Sequence, residues 1–182
     1  MRAKVAVAAA IAAVLIGVLA MHTHATNPST PLAHAEHQFE FEVRAPYEVV
    51  FPLFGANGER VWGGSDWNPH FLHGDTSRDF AGAVFQVAHG HGSSTWMTTA
   101  FDSTSGHIQH VVFAHSALIT LIDIHVARRP GGATRVSVHY EYTAVDPSAN
   151  ATVHEMAEHA PHMRSHWNDA ISTALKVPAQ AD

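Results

Sequence analysis

The sequence predicts an α+β domain, a curved antiparallel β-sheet wrapped around one long C-terminal helix. Three observations carry this. Apolar residues at Met156, Ala160, Met163, Trp167, Ala170, Ile171 and Ala174 recur in steps of three and four, one stripe of a helix over residues 150–176. Ahead of it, residues 83–88, 95–102, 107–115, 117–127 and 133–144 read as strands separated by short turns, the pattern of an antiparallel meander. Nearly every strand-like segment precedes the helix, so a sheet built earlier receives its bulky face.

The chain opens with Arg2 and Lys4 ahead of an uncharged run over residues 5–21, the charged and apolar regions of a secretory signal. As a helix that run spans roughly 25 Å, against about 30 Å of bilayer hydrocarbon. Export with cleavage near Ala25 is the expectation, with an uncleaved anchor as the alternative. Residues 1–25 are thus signal peptide or N-terminal anchor, 26–35 a proline-bearing spacer, and 36–177 the domain. That places the domain in the periplasm or outside the cell.

The formal charge is -6, with 10 basic and 16 acidic side chains. Removing residues 1–25 makes the remainder more negative still, since Arg2 and Lys4 are their only charged groups. The only basic cluster, Arg128 and Arg129, precedes a Pro130-Gly131-Gly132 turn. No nucleic-acid surface is expected, and membrane contact is expected only through the N-terminal segment if it stays uncleaved. The chain has no cysteine, so no disulfide helps the fold and the core alone holds it.

Phe39, Phe41 and Val43 alternate with Glu40, Glu42 and Arg44 as a half-buried strand. Ala45 and Pro46 end it, and Pro46 suits the first turn of a short helix carrying Tyr47, Val50, Phe51 and Phe54. Residues 55–74 are irregular and glycine-rich, yet carry Trp62, Trp67, Phe71 and Leu72. Loops are usually polar, so this one folds back over an apolar interior. In the last strand Val136, Val138, Tyr140 and Tyr142 share one face, opposite Arg135, Ser137, His139 and Glu141.

The rings of Trp62, Trp67, Trp96, Tyr140, Tyr142 and Trp167, with Met163, can line a ligand pocket or fill a solid core. His110 alternates with Ile108 and Val112, which points it at the same interior as hydrogen-bond partner or proton shuttle. Histidine is the compositional outlier, with 17 copies. Glu155, His159, His162 and His166 share a helix flank, but no HExxH occurs and Pro161 interrupts their spacing. His89 and His91, in a turn, form at best a weak site. No metal site and no cofactor are expected. Neither G-x-S-x-G nor G-x-G-x-x-G is present.

The segment from Phe41 through Ala45-Pro46 to Phe51, then Trp67-Asn68-Pro69, Gly82 to Phe85, and Gly132 to Ala144 resemble START-like (SRPBCC) proteins. Within that superfamily the polyketide cyclase/dehydrase-like branch is most similar. The resemblance spans residues 39–175 and implies a helix-grip fold whose sheet and C-terminal helix enclose an apolar cavity. It implies a small hydrophobic ligand, here against Trp67, Trp96, His110, Tyr140, Tyr142, Met163 and Trp167. The alternative is a cyclase- or dehydratase-like enzyme acting on an apolar or aromatic substrate, with His110 and a tyrosine as acid and base. No catalytic motif of an enzyme subfamily matches position by position, so catalytic residues stay unassigned.

Overall fold

A computed structural model describes residues 30–89, 92–114 and 117–179. The expected signal or anchor, residues 26–29 of the spacer, His91 and the break at residues 115 and 116 lie outside the described residues. Strand β1 (His34–Val43) leads into a short helix α1 (Tyr47–Val50), continued by a 3-10 turn (Phe51–Phe54). A second 3-10 turn (Gly58–Val61) and strand β2 (His70–His73) follow. Then come β3 (Val84–His89), β4 (Gly92–Asp102), β5 (His107–Ala114), β6 (Leu118–Arg128) and β7 (Thr134–Ala144). Helices α2 (Asn150–His159) and α3 (Met163–Leu175) close the chain, with a 3-10 turn (Ala160–His162) between them.

The strands form one seven-stranded sheet in the order β1-β7-β6-β5-β4-β3-β2, antiparallel at every step. The expected strands and their facing hold: along β7 every second residue from Thr134 to Ala144 is buried. β4 starts at Gly92 rather than Thr95, since Ser93 and Ser94 pair with Ala88 and Val87, and two other segments differ. β1 starts at His34 rather than Phe39, because Ala35 and Glu36 pair with Tyr142 and Glu141. β2 was expected as irregular chain; it is a short, mostly exposed edge strand, so no apolar alternation marks it. A register shift in β4 between Thr98 and Ala100 inserts a bulge, which bends the sheet.

The C-terminal helical stretch is broken where Pro161 sits. Proline has no N–H to donate and its ring crowds the preceding turn, so α2 and α3 meet through 3-10 geometry. Asp146 starts this stretch, its carboxylate accepting from the Ser148 backbone N–H at 2.9 Å. Val153, Ala160, Trp167 and Ile171 bury the helical face against β1 and β7. Asn150 Oδ1 accepts from the Ala33 backbone N–H at 2.8 Å, which ties the start of α2 to the lead-in of β1. The main core fills the space between this helix face and the inner face of the sheet.

Candidate functional site

The site begins with backbone carbonyls at the end of the first helical stretch, where helix geometry runs out of donors. Trp62 Nε1 donates to the Leu53 carbonyl at 2.7 Å and Trp67 Nε1 to the Ala56 carbonyl at 2.8 Å. His110 Nε2 donates to the Phe54 carbonyl at 2.9 Å. Three side chains, two from the loop and one from β5, thus lock one turn of backbone. The loop folds back over the interior, as its tryptophans require.

Two adjoining chambers lie between the sheet and the helices. The first, about 220 Å³, is lined by Glu59, Trp62, Trp67, Trp96, His110, Ile122, Tyr140 and Trp167, with His166 and Gly63. The second, about 370 Å³, is lined by Val112, Leu118, Thr120, Tyr142 and Met156 among others. Trp96, Ile122 and Tyr140 border both. The structure therefore brings Trp67, Trp96, His110, Tyr140 and Trp167 to one chamber and Tyr142 to its neighbour. Met163 lines neither; its sulfur accepts from the Tyr142 hydroxyl at 3.5 Å.

The rings contact one another as well as the cavity. Trp67 and Trp96 meet edge-on, with centroids 5.2 Å apart and planes at 88°. Trp62 and Trp167 lie 5.0 Å apart at 58°. Trp167 also stacks on Phe54 at 6.0 Å and meets Tyr140 edge-on at 6.1 Å.

His110 faces this interior, but both ring nitrogens are engaged. A carbonyl only accepts, so Nε2 carries the proton, and Nδ1 at 3.2 Å accepts from the Thr98 hydroxyl, its direct cross-strand neighbour. Burial pushes its pKa down to about 4, against a smaller upward pull from the Phe54 carbonyl. His110 is therefore a neutral, fully committed imidazole at neutral pH.

Glu59 was missed as a site residue, because a glutamate in a glycine-rich loop reads as solvated. It is only 7% exposed, and its carboxyl makes no hydrogen bond or ion pair with any described residue. Burial, helped by nearby Asp79, holds its pKa well above the usual carboxylate range. Burial likewise raises Tyr140 well above its ordinary value, with Tyr142 and Glu59 adding to it. Tyr142 is pushed up to about 12 by burial. At the chamber, His110 is a neutral imidazole, Tyr140 a neutral phenol and Glu59 an acid without a partner among the described residues, with the exposed His166 at its edge.

On the outer face of the sheet, His107, Asp123 and His125 could hold a metal ion, their ligand atoms all within 4.8 Å of one another. His107 Nε2 lies 2.6 Å from Asp123 Oδ1, and the two imidazoles stack at 4.8 Å. This trio faces away from the chambers, on the side of a solvent-open groove of about 440 Å³ that Asp123 and His125 share with His139. Lined mostly by polar side chains, that groove is less suited to an apolar ligand than the ring-lined interior. His159 and His162 on the helix flank are exposed, and no metal cluster forms there among the described residues.

Neither a family model nor a curated protein matches the chain by sequence. Solved structures do match in shape. Norcoclaurine synthase from Thalictrum flavum is similar at TM-score 0.58 and 13% identity, over 80% of this chain and 88% of that one. Its complex with dopamine and hydroxybenzaldehyde matches at TM-score 0.58 and 13% identity, over 82% and 91% of the two chains. Ara h 8.0201 matches at TM-score 0.57 and 14% identity, over 78% of this chain and 99% of that one.

Proposed function

We propose that this chain, which has the START/Bet v 1-like helix-grip fold, holds a small hydrophobic or aromatic molecule between its sheet and C-terminal helices. The observation that carries the reading is the pair of adjoining chambers, walled by Trp67, Trp96, Tyr140, Tyr142 and Trp167. The rings give an occupant large contact area. The norcoclaurine synthase complex, which holds dopamine and hydroxybenzaldehyde, supports a ring-bearing occupant by analogy of fold.

Binding is favoured over catalysis because His110 already spends both nitrogens inside the protein. The test is titration with an environment-sensitive apolar dye, followed by tryptophan emission. Saturable binding that quenches the emission, and that weakens in Trp96→Ala, supports the reading; unchanged affinity in Trp67→Ala, Trp96→Ala and Trp167→Ala removes it. The charged and apolar start of the chain further supports an exported domain. A mature N-terminus between Thr26 and Glu36 is the expected result of N-terminal sequencing.

A further inference from the structure

We propose that the smaller chamber is a site for an organic cation, a protonated or quaternary amine, with indole rings as its walls and Glu59 as its counter-ion. The proposal rests on the reading of the chamber as a ligand site and names the class of ligand.

The first argument is the kind of wall. The chain has four tryptophans, and all four line this one chamber of about 220 Å³. A pocket for a neutral hydrocarbon needs only aliphatic side chains, yet Ile122 is the one aliphatic branched residue among these walls. Indole faces carry negative potential and are the best of the aromatic rings for holding a cation. The near-perpendicular Trp67 and Trp96 planes make two differently oriented walls of one box.

The second argument is charge. The Glu59 side chain is buried, borders the chamber and has no partner among the described residues. A buried carboxyl left unpaired is costly, and a plain core would be more stable with an apolar group there. Neither lysine nor arginine lines the chamber. The neighbouring Arg60 is turned elsewhere, its guanidinium donating to Asn68 Oδ1 at 2.9 Å and to the Pro69 carbonyl at 3.0 Å. Behind Glu59, Asp79 adds a second carboxylate, itself held by the Asn57 backbone N–H at 3.0 Å. His110 has no nitrogen left for an anion, and the hydroxyl of Tyr140 makes no hydrogen bond with any described residue. Apart from the exposed His166, no basic side chain lines the chamber; a bound cation supplies the partner that Glu59 lacks and favours release of the proton that burial holds on its carboxyl.

The test compares two molecules of one shape, phenyltrimethylammonium and tert-butylbenzene, by calorimetry on the folded chain near neutral pH. The cation is expected to bind about tenfold tighter or more. Glu59→Gln should abolish most of that preference while leaving affinity for the neutral molecule nearly unchanged. Equal affinities in the unaltered protein would overturn the cation proposal and leave the apolar-ligand reading standing. If neither molecule binds, and the dye does not bind either, both readings fall. The comparison in the unaltered protein needs no variant, so it decides the matter even if Glu59→Gln does not fold.

Discussion

His110 Nε2 donates to the Phe54 carbonyl at 2.9 Å, joining a central strand to the first helical turn across 56 residues of chain. The bond sets both the imidazole's tautomer and the position of the turn from which the tryptophan loop departs. Its pKa is pushed down to about 4 from 6.5 by burial. The unfolded chain therefore takes the proton first. The contribution of His110 to stability is full above pH 6.5 and is lost as pH falls toward the folded value. The difference amounts to about 3 kcal/mol. Denaturant unfolding at several pH values should show His110→Gln with a flatter acid limb than the unaltered protein. Parallel curves for the two would show that His110 does not titrate this way.

Glu59 has the opposite sign. Its folded pKa lies well above 4.5, so its neutral form favours the folded chain below the unfolded value, and that contribution is lost as pH rises through the folded one. Asp79 is raised too, by burial, but remains in the variant and cancels from the comparison. Glu59→Gln is expected to be more stable than the unaltered protein at alkaline pH, by about 1–3 kcal/mol, with the gap closing in acid. A melting-temperature series across pH measures this; a gap that widens in acid would contradict it.

Trp167 joins helix, sheet and loop, touching Phe39, Phe54, Trp62 and Tyr140 with its ring. Trp167→Ala should lower unfolding free energy by about 3–5 kcal/mol, read from the urea midpoint. Trp96 is only half-buried, and Trp96→Ala should cost less while weakening ligand binding. If Trp96→Ala destabilises more than Trp167→Ala, the division between core wall and pocket wall is wrong.

Gly106 turns the chain from β4 into β5 at φ +77°, and a Cβ there would run into the Val126 carbonyl oxygen. That carbonyl cannot move freely, because the Val126 N–H donates to the Gly106 carbonyl at 2.8 Å across the same junction. Gly106→Ala should destabilise by about 1–3 kcal/mol. Gly131, also at positive φ but with nothing near its added Cβ, should show a smaller loss on the same substitution in the same assay.

Side-chain type and period by themselves determined much of this protein. Alternation located β3 to β7, because a strand buried on one face shows that burial in every second residue. Steps of three and four did the same for the final helices, and the stop at Pro161 follows from its missing N–H. The ring set was legible too, since large aromatic side chains in a loop have to find an interior. Tertiary structure alone decided the rest. β2 and the first residues of β1 carry little apolar surface, so only their pairing partners make them strands. His107, Asp123 and His125 meet through the pairing of β5 with β6, which no local spacing announces. Glu59 is polar and sits in a turn; its burial arises because the Trp62 and Trp67 indoles fasten the flanking chain to carbonyls at Leu53 and Ala56. Whether a carboxyl is solvated or enclosed depends on what folds over it, and that is settled by contacts distant in sequence.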